Sequence, residues 1–186
     1  MEESDPELVR RAADGERLAF QTLVQRHAKY LFSLAYSLVG CGADAEDVVQ
    51  ESLTGAYRGL RKYEGRAPVK LWLAGIVARQ AARLHYKRGL RPTISLDQAS
   101  NEQDSLEPAM RIGTGTIEVD RRLDIESFLQ KLSDSHRQVI VLRELNGLSY
   151  EEIADVLRVP RGTVESRLFR ARAELSQLLK SYHSGS

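Results

Sequence analysis

Cysteine is nearly missing from this chain. Cys41 is the one thiol in 186 residues, so no intrachain disulfide framework can hold the fold. Long apolar runs are missing too: none approaches the ~18 residues needed to span a bilayer. The first residues, MEESDPELVRR, are acidic and polar and lack the apolar core of a signal peptide. The expectation is a cytoplasmic protein with no direct membrane insertion. The four histidines, His27, His85, His136 and His183, are scattered, and none stands with Cys41 at the spacing of a metal site. No glycine-rich nucleotide loop or nucleophile motif occurs. These absences argue against an enzyme and predict no cofactor, no metal and no catalytic residue. Convincing strand patterns are also lacking, which leaves an all-α chain. Its 42% hydrophobic content is enough to bury a core.

Net charge is only +1, but the charge is unevenly placed. From Arg58 to Arg91 there are ten Lys or Arg against one acid, Glu64. From Thr93 to Asp120 one base, Arg111, faces six acids. From Arg158 to Arg172 five arginines stand with Glu165 alone. Two basic segments thus flank an acidic one, a pattern suited to binding a polyanion. The acidic stretch is rich in Ser, Gly, Thr, Asn and Gln and lacks a helical period, so it reads as a linker. Pro92 and Pro108 oppose helix near their positions.

Before the linker the periodicity predicts four helices. The first spans Asp5 to Asp14, with Pro6 near its start. The second runs from about Arg17 to Leu38, where Phe20, Leu23, Val24, His27, Leu31, Leu34, Ala35 and Leu38 form a core-facing stripe. His27 lies on that stripe as a satisfied core histidine. Gly40-Cys41-Gly42 breaks the pattern. A third helix begins at Ala43 or Asp44 with acids in its first turn, as the helix dipole favours, and reaches about Leu60. A fourth covers about Val69 to Arg88. After the linker come shorter helices: Arg122 to Leu132; Asp134 to Leu145, capped by Ser133 and stopped by Asn146-Gly147; and a helix from Ser149 to Leu157 with a Ser149–Glu152 capping box. Thr163 opens the last, after a corner holding Pro160 and Gly162.

The segment SYEEIADVLRVPRGTVESRLFRAR, Ser149 to Arg172, has helix-turn-helix proportions. Ile153, Ala154 and Leu157 face inward from its first helix. In the second, Val164, Leu168, Ala171 and Leu175 form one inward stripe. Thr163, Glu165, Ser166, Arg167, Phe169, Arg170 and Arg172 are left outward. Such an arrangement is either a solvated basic face or a recognition helix whose N-terminal side chains meet base edges and phosphates. Phe169 reads as a lid on a neighbouring helix.

The block LSDSHRQVIVLRELNGLSYEEIADVLRVPRGTVESRLFRARAEL closely resembles region 4 of bacterial sigma factors of the extracytoplasmic-function group, within the sigma-70 family. AEDVVQESLTGAYRGLRKYEG and LWLAGIVARQAARLHYKR resemble region 2 of the same group. The resemblance implies an alternative-sigma initiation factor that binds core RNA polymerase and directs it to promoters. It implies region 2 over residues 1–92, a linker over 93–120 and region 4 over 121–182. Region 4 would dock on the β flap and read the −35 element through Arg161, Thr163, Glu165, Ser166, Arg167 and Arg170. Region 2 would dock on the β′ clamp helices through Asp44, Glu46, Asp47, Gln50 and Glu51. It would capture −10 bases with a loop of about Tyr63 to Val69, using Tyr63, Glu64 and Arg66, and track phosphates with Arg79, Arg83, Lys87 and Arg88. Trp72 matches the family's tryptophan and reads as core. The chain departs from the family at Tyr63 and Val69, where aromatics are usual at the loop's ends, with phenylalanine at the first, and at Arg79 and Arg83, where asparagine and aspartate are common; the identity of the −10 bases is therefore left open. An anti-sigma factor is a further implied partner, and a module held by such a partner is a third reading. A stand-alone DNA-binding regulator is the competing one, but it would need neither the acidic helix nor the basic −10-like helix.

Overall fold

The computed structural model describes residues 3–89 and 125–183, and every regular element among them is helical. The linker, with Arg91, Pro92 and Pro108, and the start of the helix expected from Arg122 lie outside the described residues. Four helices precede the linker: α1 (Asp5–Ala13), α2 (Arg17–Val39), α3 (Gly42–Gly59) and α4 (Val69–Gly89). A 3₁₀ turn, Leu60–Lys62, extends α3. After the linker come α5 (125–131), α6 (Asp134–Ile140), α7 (Tyr150–Leu157) and α8 (Arg161–His183).

The α2 stripe is buried as its spacing requires, with Leu23, Leu31, Leu34, Ala35 and Leu38 all inside. His27 is 8% exposed, and its Nε2 lies 2.7 Å from Asp5 Oδ2; Arg26 Nη1 donates to the other oxygen of that carboxylate, Oδ1, at 2.6 Å. This ties α1 to α2. Burial alone would raise the Asp5 carboxyl, but the bonds and charges of Arg26 and His27 outweigh it and hold its pKa below the ordinary value. Gly40 ends α2 in the left-handed region at φ 75°, and its missing Cβ makes room for the Gln130 side chain of α5. Any other residue there would meet both obstacles.

In the second unit, Ser133 accepts the His136 amide as an N-cap. α6 does not run as a uniform helix to Leu145: from Val141 it widens into a π-turn, and Asn146-Gly147 then stops it. The Ser149–Glu152 capping box is complete, with Glu152 N–H donating to Ser149 Oγ at 3.2 Å and Ser149 N–H to Glu152 Oε2 at 2.7 Å. The corner after α7 falls earlier than its Pro-Arg-Gly sequence suggests. Arg158 takes the left-handed conformation at φ 56° and caps α7, so Arg161 and Gly162 already belong to α8.

The two units are not kept apart. Their apolar side chains form one continuous core, with α4 packed on α7 and α2 and α4 touching α6. Arg137 of α6 sits in this junction and is 5% exposed. Its guanidinium donates to the carbonyls of Leu129, Gln130 and Leu132 at the end of α5 (2.8–3.1 Å), and to Leu38 of α2 at 2.8 Å. Burial lowers its pKa and nearby Asp134 offsets part of that, but an arginine stays charged.

Candidate nucleic-acid interface

α8 presents the inward stripe that its spacing predicts. Val164, Leu168 and Ala171 are buried and Leu175 is half-buried. The opposite side faces outward near the helix N-terminus. Arg161, Glu165, Ser166 and Arg170 are exposed, and Thr163 and Arg167 are half-buried. Arg161 is held by Glu151 at 2.6 Å and Glu165 at 2.9 Å. Ser166 Oγ donates to the Thr163 carbonyl at 3.0 Å. Arg172 is engaged by Glu144 at 2.6 Å. Phe169 is no lid: it is 77% exposed, because its position on α8 points away from every packed neighbour.

The loop between the 3₁₀ turn and α4 is ordered by its own contacts. Tyr63 donates from its hydroxyl to the Ala67 carbonyl, and its ring packs at 5.0 Å on Trp72. Gly65 supplies the positive φ of 71° that turns the loop back. Trp72 is half-buried rather than interior, and with Tyr63 it forms the wall of a cleft of about 330 Å³. Glu64 and Arg66 pair at 2.5 Å on the exposed rim. The floor includes Gly75 and Arg79 of α4, and the far wall is Glu152, Asp155 and Val156 of α7.

The expected basic stripe along α4 is brought together only in part. Arg83 and Lys87 are exposed. Arg88 is bound to Asp44 of α3 through two bonds of 2.5 and 2.6 Å. Arg79 turns into the cleft, where Nη1 donates to the Val156 carbonyl at 2.8 Å. Burial and then the charge of Arg158 lower the Arg79 pKa. The stripe fails as a continuous track because helical spacing fixes which face a residue shares, but not whether another element packs on that face.

On α3, Glu46, Asp47, Gln50 and Glu51 are exposed along consecutive turns, whereas Asp44 is largely covered by its pairing with Arg88. Gln80 of α4 donates to Glu51 at 3.1 Å. The result is an acidic ridge on α3 that is tied to the basic helix α4 at two points, Arg88 on Asp44 and Gln80 on Glu51.

Two family models match the two units separately: sigma-70 region 2 over residues 23–91 and sigma-70 region 4 over 122–175. Among curated proteins, the RNA polymerase sigma-H factor of Pseudomonas aeruginosa is 33% identical over 190 residues, covering 96% of this chain and 95% of that one. This chain belongs to the sigma-70 family, in its extracytoplasmic-function group. The ECF RNA polymerase sigma-E factor of Salmonella typhimurium is 36% identical over 91% of each chain. A solved structure of the sigma factor RpoE in complex with the anti-sigma factor NepR, from Bartonella quintana, superposes with a TM-score of 0.64 at 26% identity, covering 87% of this chain and 96% of that one. As a sigma factor the protein is a transcription initiation factor that binds core RNA polymerase and gives it promoter specificity. No described helix is long and apolar enough to cross a membrane. Among the described residues no three metal-ligating side chains converge.

Sequence reasoning missed two participants. Arg137 lies inside the block that resembles region 4, but nothing in its local spacing shows that it is interior. Val156 falls outside the inward set of its helix, yet is buried, because α4 of the other unit covers it.

Proposed function

We propose that this sigma factor reads the −35 element as duplex DNA with the outward face of α8 and captures the −10 element with the Tyr63–Val69 loop and α4. Residues 1–92 serve as region 2, 93–120 as the linker and 121–182 as region 4. The observation that carries the −35 assignment is the outward cluster Arg161, Thr163, Glu165, Ser166, Arg167 and Arg170 on a helix whose opposite stripe is buried. Arginine in a major groove pairs with guanine through two bonds, and Glu165 accepts from cytosine. Tyr63, Glu64, Arg66 and Arg79 border a cleft that offers a stacking face and hydrogen-bonding edges to an unstacked base. Arg83 and Lys87 neutralise phosphates; Arg88 joins them only when it leaves Asp44.

The acidic ridge Glu46, Asp47, Gln50 and Glu51, with Asp44 at its start, meets the basic β′ clamp helices, and region 4 docks on the β flap. An anti-sigma factor is a natural partner, given that the similar RpoE is bound by one. The protein acts in the cytoplasm and catalyses no reaction of its own.

Replacing Arg167 with alanine tests the −35 assignment. Promoter selection at the contacted base pair should relax, with a loss of about 1–3 kcal/mol in discrimination and unchanged binding to core polymerase. Competitive transcription from −35 variants measures it. An unchanged preference in both Arg167→Ala and Ser166→Ala removes these residues from the readout.

A further inference from the structure

Arg161 is the first residue of α8, and two carboxylates hold it. Its Nη1 lies 2.6 Å from Glu151 Oε1 on α7. Its Nε donates to Glu165 Oε1 at 2.9 Å, one turn further along α8. The guanidinium is thus engaged from both helices of the helix-turn-helix. Pairs as exposed as these add little to stability, so their consequence is one of orientation and charge. Glu165 stands in the first turns of α8, the part of a recognition helix that meets base edges. A carboxylate there is repelled by the phosphates that the neighbouring arginines attract, and its own rotamers are many. Arg161 meets both difficulties. Its charge offsets that of Glu165, and its bond to Oε1 fixes the side chain. Among the described residues Oε2 accepts no hydrogen bond, so one carboxylate oxygen is held and the other is open.

We propose that Arg161 is a positioning residue that acts through Glu165. It presents the open carboxylate oxygen to the −35 duplex as a reader of cytosine, and contacts neither base nor phosphate itself. A group that only accepts hydrogen bonds selects by what each base shows in the major groove. Cytosine shows the N4 amino donor, guanine and thymine show acceptors, and adenine sets its N7 acceptor beside its donor. Cytosine is therefore the base that offers a donor with no acceptor next to it. Glu151 binds a second nitrogen of the guanidinium, so the clasp spans α7 and α8 and keeps Arg161 from turning to the DNA. Resting on the assignment of α8 to the −35 element, the clasp adds to it one base preference and one residue that acts at a distance from the base.

The full chain in complex with core RNA polymerase tests the clasp. Complexes carry the unaltered chain, Arg161→Ala, Glu165→Ala or the double variant. The template is a promoter that the unaltered complex uses, randomised across its −35 element, and transcripts are counted by sequencing. Binding to a labelled duplex of the same promoter is followed from about 50 to 200 mM salt. Glu165→Ala should lower the preference for cytosine at one position about tenfold. Arg161→Ala should lower it at that same position about threefold, with the other positions and the salt slope unchanged. In the Glu165→Ala background, Arg161→Ala should have no further effect. A cytosine preference that survives Glu165→Ala, or that Arg161→Ala leaves intact, overturns the clasp. So does an Arg161→Ala effect that falls on another position, persists without Glu165, or reduces the salt slope by about one, since each makes Arg161 a direct contact. An Arg167→Ala complex separates the two readings. If it relaxes the −35 preference while Arg161→Ala and Glu165→Ala leave every preference unchanged, the clasp alone fails. If all three keep every preference, α8 does not read the element.

Discussion

Replacing Arg137 with alanine should destabilise the protein by about 3–5 kcal/mol, more than any other single arginine substitution. The reason is the number of acceptors that one side chain satisfies. Four main-chain carbonyls, three at the end of α5 and one at the end of α2, converge on a guanidinium that is 5% exposed. Alanine leaves all four without that donor and opens a gap in the continuous core. Each buried polar group left unpaired costs on the order of 1–3 kcal/mol, partly relieved if water enters. Lysine keeps the charge but lacks the planar fork, so it should recover less than half of the loss. Urea denaturation of the three proteins measures this, and a loss below about 1 kcal/mol for alanine would show that the cluster is dispensable. Three of the four bonds lie within region 4, so most of the effect should arise there.

Charge reversal on the acidic ridge should have the largest functional effect. Asp47→Lys with Glu51→Lys places two cations where a basic partner helix is proposed to dock. The residues are one turn apart on α3 and exposed, so the fold should tolerate both changes apart from the Gln80 bond to Glu51. Affinity for core polymerase should fall by about tenfold to a hundredfold, because like charges then face one another across the interface. Binding of the same protein to −35 duplex DNA should be unchanged, since the proposed −35 reader is the outward face of α8 and not α3. Co-elution with core at the native affinity would contradict the assignment of the ridge.

The reach of the sequence was set by how local each determinant is. The α2 stripe, the Ser149–Glu152 capping box, the Gly40 break and the inward stripe of α8 each depend on residues a few positions apart, and each stands where its spacing placed it. His27 as a satisfied core histidine also followed from its stripe, although its partner, Asp5, did not. The determinants that escaped are those that join the two units across the linker. Val156 is buried and Arg79 is engaged only because helices far apart in sequence pack together, and Arg137 adds to its three nearby carbonyls the Leu38 carbonyl across the junction; periodicity within one helix carries no record of such contacts. Phe169 shows the converse: an aromatic ring beside the inward stripe suggested a packed neighbour, and none covers it. At the site, the outward face of α8 and the exposure of Glu46, Asp47, Gln50 and Glu51 on α3 followed from helical spacing, whereas the covering of Asp44 by Arg88 and the exposure of Phe169 did not. The α4 stripe was legible as a face but not as a state, since one of its arginines is spent on α7 and another on Asp44.

Run-off transcription with purified core RNA polymerase and a promoter library tests the central claim most directly. With the chain added, transcripts should start at defined sites preceded by a shared pair of −35 and −10 elements, and core alone should give none of them. Persistent binding to duplex DNA without any promoter-dependent transcript would contradict the account and leave a DNA-binding protein that works without the polymerase.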